Sequence, residues 1–319
     1  MLRMNRKKIK ILMISLAIIV ISLSVVWQIK KFIDVRVYNS ILAEKPFYFE
    51  MYNKWYQYHL DGNHSKVDFP SRFQAITALN YDNEVIWIGT VEESDDSTFL
   101  AEYDPKNNDC TVLCLENDLE VQELELSTIT EFHFQPKTKR LSFLSGNDLY
   151  LYNRDEKRFD KIKSNIKETT SVFGMSVTWL DKDTIVYISL REGDHNLYEY
   201  NYVDKEDRCT DIWAASINGI SPDNKTIYFS TGDKDSFEIL RSKICSVSIN
   251  SWITNDVYIF YGNQQIFGID DVTKGILCKD YSDEKKKLYF TQCEKWKYKK
   301  RLPLDLEHAD NIVWPVSEL

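Results

Sequence analysis

Short apolar runs of β type recur along most of the chain, and a polar turn precedes most of them. They begin at Phe47, Val85, Leu141, Ile185, Ile227, Val257 and Leu288. Their spacing averages about 40 residues, and the part of the chain that they occupy has no long stretch with the helical period of about 3.6 residues. A repeat of this length made only of strands is typical of a β-propeller, whose blades have about four strands each. The pattern therefore predicts an all-β propeller.

The turns before these runs are rich in Asp, Asn and Pro. Examples are L-D-K-D-T before Ile185, S-P-D-N-K-T before Ile227 and I-T-N-D before Val257. These residues favour tight turns because Pro presets φ and because Asp and Asn side chains accept hydrogen bonds from nearby backbone N–H groups. We expect hairpins at these positions.

Counting each apolar run as the start of a blade predicts seven blades. A six-bladed ring is the alternative, in which the closely spaced runs at Ile227 and Val257 share strands. The run at Phe47 has no strand before it, and Trp314 lies in a string similar to those around Trp179 and Trp252. We therefore expect residues 311–316 to supply the inner strand of the first blade, which closes the ring and removes an open sheet edge.

One of the turns resembles a known repeat. The string I-S-P-D-N-K-T-I-Y-F-S-T, which contains Ser221, Pro222 and Asp223, is similar to the repeat of TolB-type and related WD40-like propellers, where a Ser-Pro-Asp-Gly turn precedes an apolar strand. Asn224 replaces the usual Gly. The resemblance extends loosely over about residues 47–316, and it implies a propeller fold without assigning any catalytic residue.

Residues 11–29 form an apolar segment without a charged residue. A transmembrane helix needs about 20 such residues, with about 17 as the lower limit, so this segment is predicted to be an uncleaved signal anchor. More basic residues precede it than follow it, which places residues 1–10 in the cytoplasm. We expect a stalk over residues 30–45 and an extracytoplasmic propeller over residues 46–319, held at the cell membrane by a single span.

The charge of the chain is unevenly distributed. The chain has 40 basic and 49 acidic residues, a net charge of −9, and residues 1–31 contain seven basic and no acidic residues. The rest of the chain therefore has a net charge of −16. This balance disfavours a nucleic-acid-binding function, which usually requires a basic domain.

Motifs of common enzymes and metal sites are absent from the sequence. It has no G-x-S-x-G elbow, no H-E-x-x-H, no phosphate-binding loop and no EF-hand loop, and we expect no cofactor. His59 and His64 with Asp61 are the one candidate metal set, but a polar cluster at a hairpin edge explains them better. The other histidines are interpreted as structural: His133, His195 and His308.

Six cysteines lie in the predicted exported domain, where disulfides are permitted: Cys110, Cys114, Cys209, Cys245, Cys278 and Cys293. Cys110 and Cys114 are four residues apart on one predicted strand, about 13 Å, which is too far for a disulfide. We interpret the cysteines as free, buried thiols, and one disulfide between blades is the alternative.

Two acidic clusters precede or follow predicted strands. One contains Glu92, Glu93, Asp95 and Asp96, and the other extends from Glu116 to Glu125. Paired carboxylates serve hydrolases and bind Ca²⁺, but solvated loops explain both clusters better. The second cluster is an insertion, and insertions on one face of a propeller often line a binding surface.

A basic hairpin stands out in this acidic domain. Between Lys285 and Arg301 there are eight basic residues and one acidic residue. Lysines at a blade edge prevent pairing with other chains, and this is the simpler interpretation. The sharper hypothesis is that Lys295, Lys297 and Lys299 project from one strand face and bind an anionic polymer or an acidic partner.

Three functions are compatible with this sequence. The favoured one is a non-catalytic binding module for a protein or an envelope polymer. The alternatives are a hydrolase or lyase that acts on glycan or peptide through carboxylates in the central funnel, and a structural subunit of a membrane complex. Because propellers serve both binding and catalysis, the funnel decides between them: carboxylates that converge with His or Arg would favour an enzyme.

Overall fold

The computed structural model divides the chain into two compact units, Met1–Glu44 and Lys45–Leu319. The residues that it describes are 13, 15–30, 32, 47–59, 63–81, 84–92, 98–115, 124, 129–153, 155–167, 174–189, 195–221, 225–232, 242–260, 264–270, 275–280, 287–292, 300–301 and 309–313.

The first unit contains a helix over residues 15–30. Large apolar side chains are exposed along its length: Leu16, Ile18, Ile19, Val20, Ile21, Leu23, Val25, Val26, Trp27 and Ile29. Within the described residues, no helix has both the length and the apolar character needed to cross a membrane. The predicted span of residues 11–29 is thus not shown. Residues 11, 12 and 14 of that prediction, and most of the predicted stalk, lie outside the described residues.

The second unit consists of strands. In chain order they are β1 (Tyr48–Met51), β2 (Lys54–Tyr58), β3 (His64–Lys66), β4 (Phe73–Tyr81), β5 (Glu84–Glu92), β6 (Thr98–Asp104), β7 (Asp109–Leu115), β8 (Ile129–Gln135), β9 (Arg140–Ser145), β10 (Asp148–Asn153), β11 (Arg158–Lys163), β12 (Val177–Trp179), β13 (Thr184–Ile188), β14 (Asn196–Asn201), β15 (Glu206–Trp213), β16 (Ser216–Ile220), β17 (Thr226–Gly232), β18 (Ser242–Ser248), β19 (Thr254–Phe260), β20 (Gln264–Asp270), β21 (Gly275–Asp280), β22 (Lys287–Gln292), β23 (Lys300–Arg301) and β24 (Ala309–Val313).

The described strands form six four-stranded antiparallel sheets, which are the blades of a propeller. Blade I has the order β24-β1-β2-β3, and blades II to VI each use four consecutive strands, β4–β7, β8–β11, β12–β15, β16–β19 and β20–β23. The all-β propeller prediction is confirmed, but the favoured count of seven blades is wrong. The run at Ile227 lies in β17 and the run at Val257 lies in β19. These are the second and fourth strands of blade V, so the two runs share one sheet.

Blade I is completed by the far end of the chain. β24 pairs antiparallel with β1, with Tyr48 opposite Val313 and Phe49 opposite Ile312. The side chain of Asn311 also donates a hydrogen bond to Glu50 at 2.5 Å. The closing strand is therefore residues 309–313 rather than the predicted 311–316, and Trp314 lies outside the described residues.

Side-chain hydrogen bonds fix the turns, as the sequence predicts. The Asp181 carboxylate accepts the backbone N–H groups of Asp183 and Thr184 at 2.7 and 2.8 Å. Asn201 accepts the N–H groups of two following residues in the same way. In the TolB-like string, Ser221 Oγ accepts the Thr226 N–H at 2.8 Å. Each of these bonds stabilises a tight turn, because a side-chain oxygen accepts a backbone N–H group that the strand ladder does not pair.

The described core lies between successive blades. One cluster packs Ile86 and Leu100 of blade II against Phe134 and Phe143 of blade III, and it includes Leu124 from the predicted acidic insertion. Similar clusters join blades I and II, blades III and IV, and blades IV and V. Blades I to V are therefore stabilised by their neighbours, because one sheet alone could not bury both of its faces.

Candidate functional site

The predicted binding lysines, Lys295, Lys297 and Lys299, lie outside the described residues, so their role stays a prediction. The described end of the same hairpin is β23, where Lys300 pairs with Phe290 and Arg301 with Tyr289. β23 is the outermost strand of blade VI. A basic outer strand fits the interpretation that these residues prevent the sheet edge from pairing with other chains.

The candidate metal set is not assembled in the described residues. His59 Nε2 lies 2.7 Å from Ser65 Oγ, whereas His64 contacts the rings of Phe49 and Tyr56 edge-on, and Asp61 is outside the described residues. Among the described side chains, no group of three His, Cys, Asp or Glu residues is placed to hold a metal ion. The contacts of His59 and His64 fit a polar cluster at a hairpin edge.

The cysteine prediction is confirmed only in part. Cys245 is a free, buried thiol in the core between blades IV and V. Cys110 and Cys209 are free but exposed, which contradicts the expectation of burial. Both lie on the fourth, outermost strand of a blade, where alternate residues face solvent. The side chains of Cys114, Cys278 and Cys293 are outside the description. Of the first acidic cluster, Glu92 is described and is exposed.

The alternating direction of the antiparallel strands brings several polar side chains to one end of the blades. Within a four-stranded antiparallel blade, the link into the next blade leaves at the same end as the turn between the second and third strands. We call this end the connection face. Around blade IV it includes the described residues 164–167 and 174–176 of the link 164–176, His195 directly before β14, and the short link 214–215.

Hydrogen bonds hold the described residues of the link 164–176 against blades IV and V. The Lys167 N–H donates to the Ile188 carbonyl at 2.7 Å, and the Ile188 N–H donates to the Ser176 carbonyl at 2.9 Å. Met175 exchanges both backbone hydrogen bonds with Ile217 of blade V, at 2.8 and 2.7 Å. Gly174 makes this approach possible: its φ is +127°, and a Cβ there would lie 2.6 Å from the Ile217 carbonyl oxygen.

A buried acid and imidazole lie beneath this link. Both oxygens of the Glu131 carboxylate, on the first strand of blade III, accept the Ser176 N–H at 2.8 and 2.9 Å. His133 Nε2 lies 3.4 Å from the same carboxylate, and the two side chains are 3% and 9% exposed. Trp179 Nε1 donates to Ser142 Oγ at 2.9 Å on the same side of blade III. Glu131 thus orients the start of blade IV, which gives it a structural function.

Three partly exposed side chains form a cationic cluster on the connection face: Lys167, His195 and Trp213. Lys167 Nζ lies 3.0 Å from His195 Nδ1, and the imidazole stacks on the Trp213 indole with the ring centroids 6.0 Å apart. Burial lowers the pKa of Lys167 below the ordinary lysine value. The cluster offers N–H donors beside a flat aromatic surface, which suits binding of an anionic group that is attached to a ring.

No motif in the sequence indicates this cluster. The sequence pattern favours a structural role for His195 and gives no distinguishing feature to Lys167 or Trp213. The three residues are far apart in sequence, and only the strand alternation shows that they share one end of the blades. The available signal is positional: Lys167 follows a fourth strand, His195 precedes a third strand and Trp213 ends a fourth strand.

Comparisons with known proteins identify the fold. No protein-family model and no curated protein sequence matches the chain. Among solved structures, TolB from Acinetobacter baumannii has a TM-score of 0.59 at 14% identity, with 86% of this chain and 67% of that chain covered. A nidogen/laminin complex has a TM-score of 0.51 at 8% identity, covering 78% of this chain and 89% of the other. Oligogalacturonate lyase in complex with manganese has a TM-score of 0.50 at 14% identity, with 79% and 74% covered. The TolB-like β-propeller fold that the turn motif implies is confirmed.

Proposed function

We propose that this chain is a non-catalytic binding module whose connection face binds a protein or an envelope polymer. The observation that carries the proposal is the cationic cluster, in which Lys167, His195 and Trp213 are held together and remain partly exposed. Such a cluster can recognise a ligand without any group that is placed to attack a bond. The TolB-like fold is compatible with this function, although the fold by itself assigns none.

The arrangement of Glu131 favours binding over catalysis. A hydrolase or lyase of the kind considered above needs carboxylates that converge on a substrate. On the inner strands, Glu131 is the one carboxylate among the described side chains, and both of its oxygens accept a backbone N–H. The catalytic alternative rests on the contact between Glu131 and His133. If it holds, Glu131→Gln abolishes turnover of a glycan or peptide substrate and leaves binding intact.

We also propose that the propeller is anchored at the cell membrane and lies outside the cytoplasm. The support is the apolar segment 11–29 with its basic flank, together with the apolar side chains exposed along the helix over residues 15–30. A reporter that is active only after export, fused after Leu319, should be active. Activity of a cytoplasm-only reporter at that position would contradict the proposal. A structural role in a membrane complex is the alternative if the helix cross-links to other membrane helices.

Site-directed photo-cross-linking tests which face binds. A photoactivatable phenylalanine analogue replaces Asn147, an exposed residue in a turn of the connection face close to the link 164–176. The matched control replaces Glu156, an exposed residue in the turn at the opposite end of the same blade. Irradiation of native membranes should give a discrete adduct from position 147 and none from position 156. Equal adducts from both positions, or none from position 147, would contradict binding at this face.

A further inference from the structure

Among the described residues, the ammonium group of Lys167 has no counter-ion. Its nitrogen contacts an imidazole nitrogen, and among the described residues no carboxylate lies within ion-pair distance of it. Asp148 begins β10 at the same end of blade III, but its carboxylate is already paired with Lys161 at 3.0 Å. A cation that is partly removed from water and has no anionic partner is costly, and an anionic ligand would remove that cost.

The geometry of the cluster does not depend on a ligand. Backbone hydrogen bonds hold each contributing segment: Lys167 N–H to the Ile188 carbonyl at 2.7 Å, and Ala214 N–H to the His195 carbonyl at 2.8 Å. The second bond places Trp213 beside His195, where their rings stack. Because these side chains are positioned by regular backbone structure, a ligand would meet a preorganised site and little ordering cost would oppose binding.

The composition of the cluster restricts the ligand. Lysine supplies a charged donor for a carboxylate, and the partly exposed indole supplies a flat apolar surface for the C–H face of a sugar ring. An acidic peptide would use Lys167, but Asp and Glu side chains have no ring to place against Trp213. A neutral glycan would use Trp213 and leave Lys167 without a counter-ion.

We infer that the cationic cluster binds uronic acid residues of an anionic polysaccharide, with the carboxylate at Lys167 and the sugar ring on Trp213. This inference rests on the proposed function, since it names the ligand of the same connection face. It does not depend on the predicted basic hairpin, whose Lys295, Lys297 and Lys299 lie outside the described residues.

Calorimetric titration of the detergent-solubilised full chain tests the inference. The probes are a short oligomer of galacturonic acid, a neutral malto-oligosaccharide of the same length and an oligoglutamate peptide. We expect binding of the acidic oligosaccharide only. Lys167→Met and Trp213→Leu should each weaken it by about tenfold or more, because each removes one of the two contacts. Lys167→Arg should retain binding because it keeps the charge.

Controls separate loss of binding from loss of folding. Lys205→Met changes an exposed lysine at the opposite end of blade IV and should bind like the unmodified chain. The circular dichroism spectrum of each variant should match that of the unmodified chain. If Trp213→Leu fails this check, the comparison of Lys167→Met with Lys167→Arg decides.

Several results would overturn the inference. They are equal binding of the neutral oligosaccharide or of oligoglutamate, unchanged affinity of Lys167→Met, or no binding of the acidic oligosaccharide. In the last case the adduct at position 147 shows whether only the inferred ligand is wrong or the proposed binding function is wrong too. If the adduct persists, the connection face binds another class of ligand. If the adduct is also absent, the proposed function fails as well.

Discussion

Lys163 forms a buried ion pair between blades III and IV, and its removal should destabilise the propeller. Lys163 Nζ lies 2.6 Å from Asp207 Oδ2, and the two side chains are 8% and 20% exposed. Tyr187 Oη donates to the other oxygen of Asp207 at 3.0 Å. The ammonium group also lies over the ring of Tyr200, 4.4 Å from its centroid. Lys163→Met keeps the apolar stem and removes only the charge and its hydrogen bonds.

The expected cost follows from what the substitution leaves behind. Breaking a fully buried ion pair by removing one partner costs about 3–5 kcal/mol, because the other charge stays buried without compensation. Here Asp207 keeps the hydrogen bond from Tyr187 and is a fifth exposed, so both effects reduce the penalty. We therefore expect Lys163→Met to lower the free energy of unfolding by about 2–3 kcal/mol.

Equilibrium urea unfolding followed by tryptophan fluorescence measures this cost, and the same strand provides a matched control. Lys161 pairs with Asp148 at 3.0 Å, but its side chain is 51% exposed, so Lys161→Met should cost less than about 1 kcal/mol. In the double variant with Asp207→Asn, the loss should be smaller than the sum of the single losses. Equal costs for the Lys161 and Lys163 variants, or additive losses in the double variant, would refute the reasoning.

Three other predictions concern the link and the inner strands. Thr178→Val should raise the free energy of unfolding by about 1 kcal/mol in urea titrations, because Thr178 Oγ1 is buried with no hydrogen-bond partner among the described residues and valine has nearly the same shape; a loss of stability would reveal a partner. Gly174→Ala should lower the free energy of unfolding by about 2 kcal/mol or more, since the added Cβ meets the Ile217 carbonyl oxygen at a φ of +127°. An unchanged urea midpoint would contradict this. Burial lowers the pKa of Lys167, so its charge costs stability below that pKa and the cost disappears as pH rises through it. Lys167→Met should therefore be at least as stable as the unmodified chain at neutral pH, with an advantage that shrinks in urea titrations at higher pH; an advantage that grows with pH would have the wrong sign.

The sequence predicted the fold because the fold depends on local patterns. The turns at Asp181 and Asn201 use side-chain acceptors that the sequence displays directly, and the alternating runs between them become strands. The blade count was wrong because an apolar run cannot show its place within a sheet. A fourth strand such as β19 has the same apolar sequence pattern as a second strand such as β17 when both face a neighbouring blade.

The candidate site was missed for a related reason. Glu131 and Ser176 are hydrogen-bonded although 45 residues separate them, and nothing around either residue indicates the other. Lys167, His195 and Trp213 occupy different connections, and they converge only because antiparallel strands return to the same end. Local patterns report which elements form, whereas a site built from several connections depends on how the blades are arranged.

The pairing of β24 with β1 has a consequence for how the chain is made. Glu50 and Asn311, which are hydrogen-bonded in blade I, are 261 residues apart in sequence. While a ribosome synthesises the chain, blades II to VI can assemble in order, but blade I must wait as a three-stranded sheet until residue 313 has emerged. A ribosome that stalls or stops early therefore releases a product with an unpaired β1 edge, which quality-control proteases and chaperones can recognise. The pairing of β24 with β1 thus makes completion of blade I depend on synthesis of the last strand.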